Sequence, residues 1–443
     1  MLNLTSAQKE TLSSTLQKLI DKAVVQDVAP GLQCAVFDEE NVFFHGVSGL
    51  SSTSVEVPPH GKSLEKDTIL TLASCSKLPL SIITLRVLER KQTTVGFGLE
   101  HLDDHDKLAT VLPEISRKSG SLLTQIIDGF EDKLGPDKKK VLKLRPAKEK
   151  ITLRMLLTHT SGMGYEWNHP LLSELCNPKD GSTPHKQMPF ITGKLEDFEL
   201  PLLFEPGKGY GTSPDWIGQF LVRATGKTFR QLFIENILQP LDIPLTEMDT
   251  WLSPTLESNF SQFHIRLGEK TYMQSPFKPY STEHAPPPGH GCYASACMYG
   301  NLPAYLRVLR AVLKKDIRLL QKETWNRAIV DDLGPRGLKL PVPEWITPDP
   351  RFSLDVVSFF RTVIPNNVGV NLLQAKVTLS PTISGMSKGT IGWAGATNMY
   401  WFIDYERGFG GVIGTQLFPF MDGPILKTRD EFEKILYDII GRR

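Results

Sequence analysis

Apolar positions return every three or four residues after Thr5. Leu12, Leu16, Leu19 and Ile20 fall on one face, and the Thr5 hydroxyl suits a helix cap. Leu32, Cys34 and Val36, then Val42 and Phe44, alternate about Asp38-Glu39-Glu40-Asn41, which predicts a hairpin over residues 31–49. A polar loop follows over 51–66. Ile69 to Leu72 is a short extended run. Close behind it, Ile82, Ile83, Leu85, Val87 and Leu88 predict a buried helix.

From residue 102 to 226 the pattern is mostly helical and rich in loops. Within it, residues 151–162 read as a short helix ending at a glycine stop, Gly162. Residues 204–218, punctuated by glycine and proline, form a loop that enters a helix. Another helix is expected over 304–312, and the proline-rich stretch 333–371 reads as a loop that covers or shapes a site. The chain then returns to β: residues 392–404 and 411–417 make a hairpin with aromatic pairing, closed by a helix over 431–440. No repeat of 20–50 residues is present. The two chain ends can therefore share one sheet, with a helical lobe inserted between them.

Composition narrows the partners. A chain of 443 residues with 40% apolar and 22% charged residues is an ordinary globular protein of two or three lobes. Its formal net charge of +1 argues against general nucleic-acid binding. No apolar run reaches the length of a membrane span, and the polar stretch 1–21 does not read as a secretory signal. The five cysteines, Cys34, Cys75, Cys176, Cys292 and Cys297, are odd in number and match no zinc spacing. A reducing, cytoplasmic location is expected, with Cys75 a packed residue. Lys138, Lys139, Lys140, Lys143, Arg145, Lys148 and Lys150 crowd one segment. A solvated hairpin is the plain reading, and a docking patch for an acidic partner the sharper one.

The candidate chemistry lies at Ser74 and Lys77. If Ser74 starts the helix, Lys77 shares its face one turn on. A serine hydroxyl needs a base beside it, and a lysine serves only where burial lowers its pKa. Unpaired N–H groups at a helix start favour the negative charge that develops there. S-x-x-K also occurs at Ser6–Lys9, Ser63–Lys66 and Ser275–Lys278. Only the Ser74 copy lies between an extended run and a long apolar helix, and Pro79 fits only a first helical turn. A capping Ser74 beside a solvated Lys77 is the competing reading. Tyr210, between Gly209 and Gly211, is either an aromatic plug or a phenol that passes a proton. His159 reads as a packing or hydrogen-bonding residue rather than a catalyst. The rigid loop 286–295, with His290 and Tyr293, can wall a pocket. Gly385-Met386-Ser387-Lys388-Gly389 fits a nucleophile elbow, but β-like sequence follows it and the last histidine is His290, so the match is chance.

Five short motifs, in order, resemble the serine β-lactamase/penicillin-binding-protein superfamily. They are Ser74-x-x-Lys77, Leu156-Leu157-Thr158-His159-Thr160-Ser161-Gly162, Phe204-Glu205-Pro206-Gly207 with Tyr210, Asp215-Trp216-x-Gly218, and Trp393-Ala394-Gly395 before Trp401-Phe402-Ile403-Asp404. The resemblance covers nearly the whole chain. It is greatest to class C β-lactamase-like esterases and to fungal transesterases of the lovastatin side-chain acyltransferase type. It implies an α+β, β-lactamase/transpeptidase-like fold. Residues 1–100 and 285–443 would form a domain with an antiparallel sheet, residues 101–284 a mostly helical domain, and the active site the cleft between them. Ser74 would be the acylated nucleophile and Lys77 its activator. Tyr210 would pass a proton to the leaving group and take one from the incoming alcohol. The N–H groups of Ser74 and Ala396 would form the oxyanion hole. Trp393, Gly395, His290, Tyr293 and Asp215 would bind substrate. Trp393 stands where β-lactamases carry the lysine of K-T-G, which suits uncharged acyl groups. The spacing from Gly207 to Tyr210 is shorter than the family's, while that from Tyr210 to Asp215 agrees.

The resemblance thus implies acyl transfer from a thioester donor to an alcohol of a secondary metabolite. An acyl carrier protein of a polyketide synthase is one such donor. Ester hydrolysis by the same residues is the second reading, and an inactive ligand-binding relative the third. No cofactor, metal, nucleic acid or membrane is expected to take part.

Overall fold

The structure is a computed structural model. It describes residues 4–53, 61–135, 137–166, 169–211, 215–275, 283, 289–291, 293–336 and 368–441. The main sheet contains β1 (Gly31–Phe37), β2 (Val42–Ser52), β3 (Lys62–Ser63), β4 (Val368–Val370), β5 (Lys376–Thr378), β6 (Ile391–Gly395), β7 (Met399–Asp404) and β8 (Phe409–Gly414). In space they run β4-β5-β6-β7-β8-β1-β2-β3. Both chain ends meet at one antiparallel seam, with Gln33 of β1 opposite Gly414 of β8. The mixed helix and antiparallel-sheet class is as the sequence implies.

The helices that matter for the site are α1 (Ser6–Val25), α2 (Lys77–Glu89), α3 (Leu153–Leu157), α4 (Trp216–Thr225), α5 (Leu302–Lys314) and α6 (Gly423–Ile440). Strands β1, β7 and β8 are buried along their whole length. They are covered on both faces, so their sequences read as near-continuous apolar runs. Leu32, Cys34, Val36, Tyr400 and Phe402 join α1 and α6 in one core layer. Ala35, Phe37, Met399, Trp401 and Ile403 join α2, α4 and α5 in the other.

Several boundaries differ from the pattern. Helix α1 has the expected Thr5 cap, reinforced by Gln8. Helix α6 starts at Gly423 behind an Asp422 cap, earlier than the apolar periodicity suggests, because Pro424 is tolerated in a first turn. The segment 102–226 is less helical than it reads. Its basic stretch lies on a hairpin, Gln125–Leu134 paired with Lys140–Pro146. Of the proline-rich stretch 333–371, residues 337–367 lie outside the described residues. Among the described residues no helix is long and apolar enough to cross a membrane.

Candidate active site

The run before Ser74 forms a two-residue strand, Leu70–Thr71, paired with Tyr299–Gly300. It does not pass straight into a helix. A 3-10 turn, Ala73–Ser76, intervenes, and α2 begins only at Lys77. Ala73 has a φ of +44°, a left-handed conformation that costs a non-glycine residue energy and occurs where surrounding contacts enforce it. Those contacts are present. The Tyr305 hydroxyl donates to the Cys75 carbonyl at 3.1 Å. The Met298 N–H donates to Ser76 Oγ at 3.2 Å. Gln374 Nε2 donates to Ser81 Oγ at 2.9 Å, one turn into α2. The result is a half-buried Ser74 set among buried neighbours.

Lys77 Nζ donates to Ser74 Oγ at 3.1 Å. The lysine is 1% exposed. Burial brings its pKa down to about 8, opposed in part by the Asp215 charge. The capping alternative fails on both counts: Ser74 makes no cap bond, and Lys77 is not solvated. Of the other S-x-x-K copies, Ser6–Lys9 and Ser63–Lys66 are exposed, and Lys278 lies outside the described residues.

Asp215 is buried and accepts the Ser295 N–H at 2.7 Å. Burial raises its pKa, while Ser295 and Lys77 pull it back. The carboxyl therefore faces the amine from inside the protein. Tyr165 is a residue the sequence pattern does not reveal. Its ring centroid lies 5.9 Å from Lys77 Nζ. Burial raises its phenol pKa, with the Asp215 charge adding to the effect. The only cue was a tyrosine three residues past the Gly162 stop.

Tyr210 is buried, which raises its phenol pKa. Its ring meets His159 edge-on, with centroids 5.6 Å apart. The other neighbour of His159 is Trp393, stacked at 5.1 Å and 18°. Two expected site residues thus meet across a third that the sequence assigns to packing or hydrogen bonding. Burial first, and the Lys77 charge second, drive the His159 pKa down to about 3.

Strand β6 carries Trp393 and ends at Gly395, against the Ser74 turn. A Cβ at 395 would lie 2.9 Å from the Leu72 carbonyl oxygen and 3.3 Å from Cys75 Sγ. Only glycine allows that approach, which brings the end of β6 against the turn that carries Ser74. His290 and Tyr293 pack against residues 189–198. Tyr293 meets Phe198 edge-on at 5.4 Å, and its hydroxyl donates to the Pro189 carbonyl. His290 bridges Lys194. Ser387 of the elbow-like match sits between β5 and β6, its N–H donating to Asp404 at 3.0 Å. No helix follows it there.

The Beta-lactamase family matches residues 16–432. This chain belongs to that family. The Monacolin J acid methylbutanoyltransferase of Aspergillus terreus is 27% identical over 392 residues, 86% of this chain and 84% of that protein. The Lovastatin esterase of Penicillium rubens is 26% identical over 375 residues, 81% of this chain and 82% of that protein. A solved structure of Simvastatin Synthase (LOVD) from Aspergillus terreus, the LovD6 mutant, matches with a TM-score of 0.76 at 24% identity. It covers 98% of this chain and 97% of that one. That likeness extends the Beta-lactamase family fold across both chain ends.

Proposed function

We propose that this protein is a serine acyltransferase that moves an acyl group from a thioester to an alcohol of a secondary metabolite through acyl-Ser74. The observation that carries the reading is the 3.1 Å contact of Lys77 Nζ with Ser74 Oγ in a desolvated turn. Neutral Lys77 takes the Ser74 proton as Oγ attacks the thioester carbonyl. The N–H groups of Ser74 and Ala396 hold the oxyanion. As the C–S bond breaks, the proton passes through Tyr210 to the leaving thiolate. The incoming alcohol gives its proton to the same pair, attacks the acyl carbonyl and leaves as the ester. Ser74 Oγ then recovers a proton.

In this reading Trp393, Gly395, His290 and Tyr293 line the substrate side, and Asp215 supports that wall through Ser295. Residues 1–100 and 285–443 form the sheet domain and 101–284 the helical one, with substrates meeting in the cleft between. The methylbutanoyltransferase relative supports transfer. A tryptophan in place of the K-T-G lysine supports an uncharged acyl group. A carrier-protein donor would meet the exposed Lys138 and Lys143 of the hairpin and Lys148 just past it. Lys140, Arg145 and Lys150 are already paired with Glu174, Glu205 and Asp106. The free thiols of Cys34, Cys75 and Cys176 support a cytoplasmic setting.

An active-ester probe followed by mass spectrometry tests the reading. One adduct is expected, on Ser74, absent in Ser74→Ala and retained in Ser387→Ala. An adduct that survives Ser74→Ala overturns it. The esterase relative favours hydrolysis as a second reading, separated from transfer by water exclusion and acceptor binding. Ester formed from a thioester and a panel of alcohols means transfer. Free acid as the sole product means hydrolysis.

A further inference from the structure

We infer that His159 is a positioning residue: its imidazole, held between the Trp393 and Tyr210 rings, sets the phenol-bearing loop against the acyl-site wall. The inference rests on the acyl-transfer reading above. It starts from the backbone. Helix α3 ends at Leu157, and His159 takes a φ of +57°. That left-handed turn aims the His159 carbonyl at the loop carrying Tyr210, where it accepts the Gly211 N–H at 2.8 Å. The flanking Thr158 and Thr160 hydroxyls bond each other at 3.1 Å, and Thr158 Oγ1 donates to the Arg154 carbonyl at 2.9 Å. The turn is thereby fixed on both sides.

The ring completes the link. Its face stacks on Trp393 of β6 and its edge meets Tyr210. The end of α3, the Tyr210 loop and the strand that packs on the Ser74 turn therefore register through one side chain. His159 is fully buried, and neither ring nitrogen has a well-formed hydrogen bond. Lys77 is the charged group facing it and disfavours a proton on the ring, while the Gln374 backbone favours one. A leucine would fill the same space without desolvating two nitrogens. What the imidazole supplies instead is a flat surface that one aromatic ring can stack on while another meets its edge.

His159→Phe keeps a flat ring and His159→Ala removes it, and both are compared with the wild type for melting temperature, Ser74 acylation and transfer. An activated ester, whose leaving group needs no proton, should acylate folded His159→Ala at close to the wild-type rate. Transfer from a small thioester to an alcohol should fall about a hundredfold in kcat, with donor KM little changed, as expected for a proton donor displaced by about an ångström. His159→Phe should recover most of that loss and keep the wild-type pH profile. Should His159→Ala not fold, His159→Leu takes its place with the same expectation. Wild-type transfer by the ringless variant overturns the inference. So does a His159→Phe as slow as the ringless variant with a limb of its pH profile missing, which would make the imidazole an acid–base group. A wild type that takes no label on Ser74 instead sinks the acyl-transfer reading itself.

Discussion

In the proposed reaction Lys77 can serve as the base because it is dry. An exposed lysine would hold its proton well above neutrality, while burial brings this one down to about 8. In that reaction acylation needs the neutral amine. The kcat/KM for an activated ester should therefore rise about tenfold per pH unit up to pH ~8 and level off above it. A flat profile from pH 6 to 10 would remove Lys77 from the base role. Glu166 is a second buried titratable group, outside the mechanism. It is 2% exposed with one oxygen unpartnered, and burial raises its pKa from 4.5 to about 7. Between those two values the folded state keeps a proton that the unfolded state has lost, so stability falls as pH rises through the window. Glu166→Gln should remove that slope, gaining at most about 3 kcal/mol at pH 8 and little at pH 4.5. Equal gains at both pH values in denaturant titrations would contradict it. Ser74 and Lys77 were legible because their relation is local, three residues on one turn. Tyr165 was not, because its contact with Lys77 is made across the fold.

At the scale of elements, the Ser74 turn is a product of its neighbours. Nothing in the apolar pattern encodes the left-handed Ala73, so the sequence expectation starts α2 a turn too early. The enforcing contacts come from Met298, Tyr305 and Gln374, on segments far along the chain. Gly395 is the sharpest case. An added methyl meets a backbone carbonyl at 2.9 Å, and backbone cannot swing aside as a side chain can. In Gly395→Ala the end of β6 should retreat from the turn, slowing Ser74 labelling by roughly tenfold or more while the protein stays folded. Wild-type labelling in a folded Gly395→Ala would show that the close approach is not needed. The basic segment teaches a related lesson. Its hairpin was legible, but its pairings were not. Glu205, at the head of the Tyr210 loop, accepts from Arg145 at 2.6 Å and from the Lys148 N–H at 2.9 Å. Part of that charge therefore anchors the loop rather than facing solvent.

At the scale of the molecule, the sheet exists only because strands from both chain ends close on each other at β1 and β8. That much was readable, since apolar runs stand at both ends and helical pattern lies between. The register of the seam was not, because it depends on pairing partners with no local signal. The two layers also divide the work. The α2 layer carries Ser74 and Lys77, and the α1 and α6 layer supports the sheet from the opposite face. Tyr437 on α6 tests that division. Its hydroxyl donates at 2.9 Å to Asp404, whose carboxyl is fully buried and also takes the Ser387 N–H at 3.0 Å. Tyr437→Phe keeps the ring that packs on Phe402 and Phe409 and removes only the hydroxyl. A buried acceptor that loses a donor costs about 1–3 kcal/mol. Urea unfolding should shift by that amount at unchanged slope, and Ser74 acylation, measured where the variant is fully folded, should keep its wild-type rate. A slower acylation there would mean that strain crosses the sheet, and that the outer helices hold the Ser74 turn in place as well as the fold.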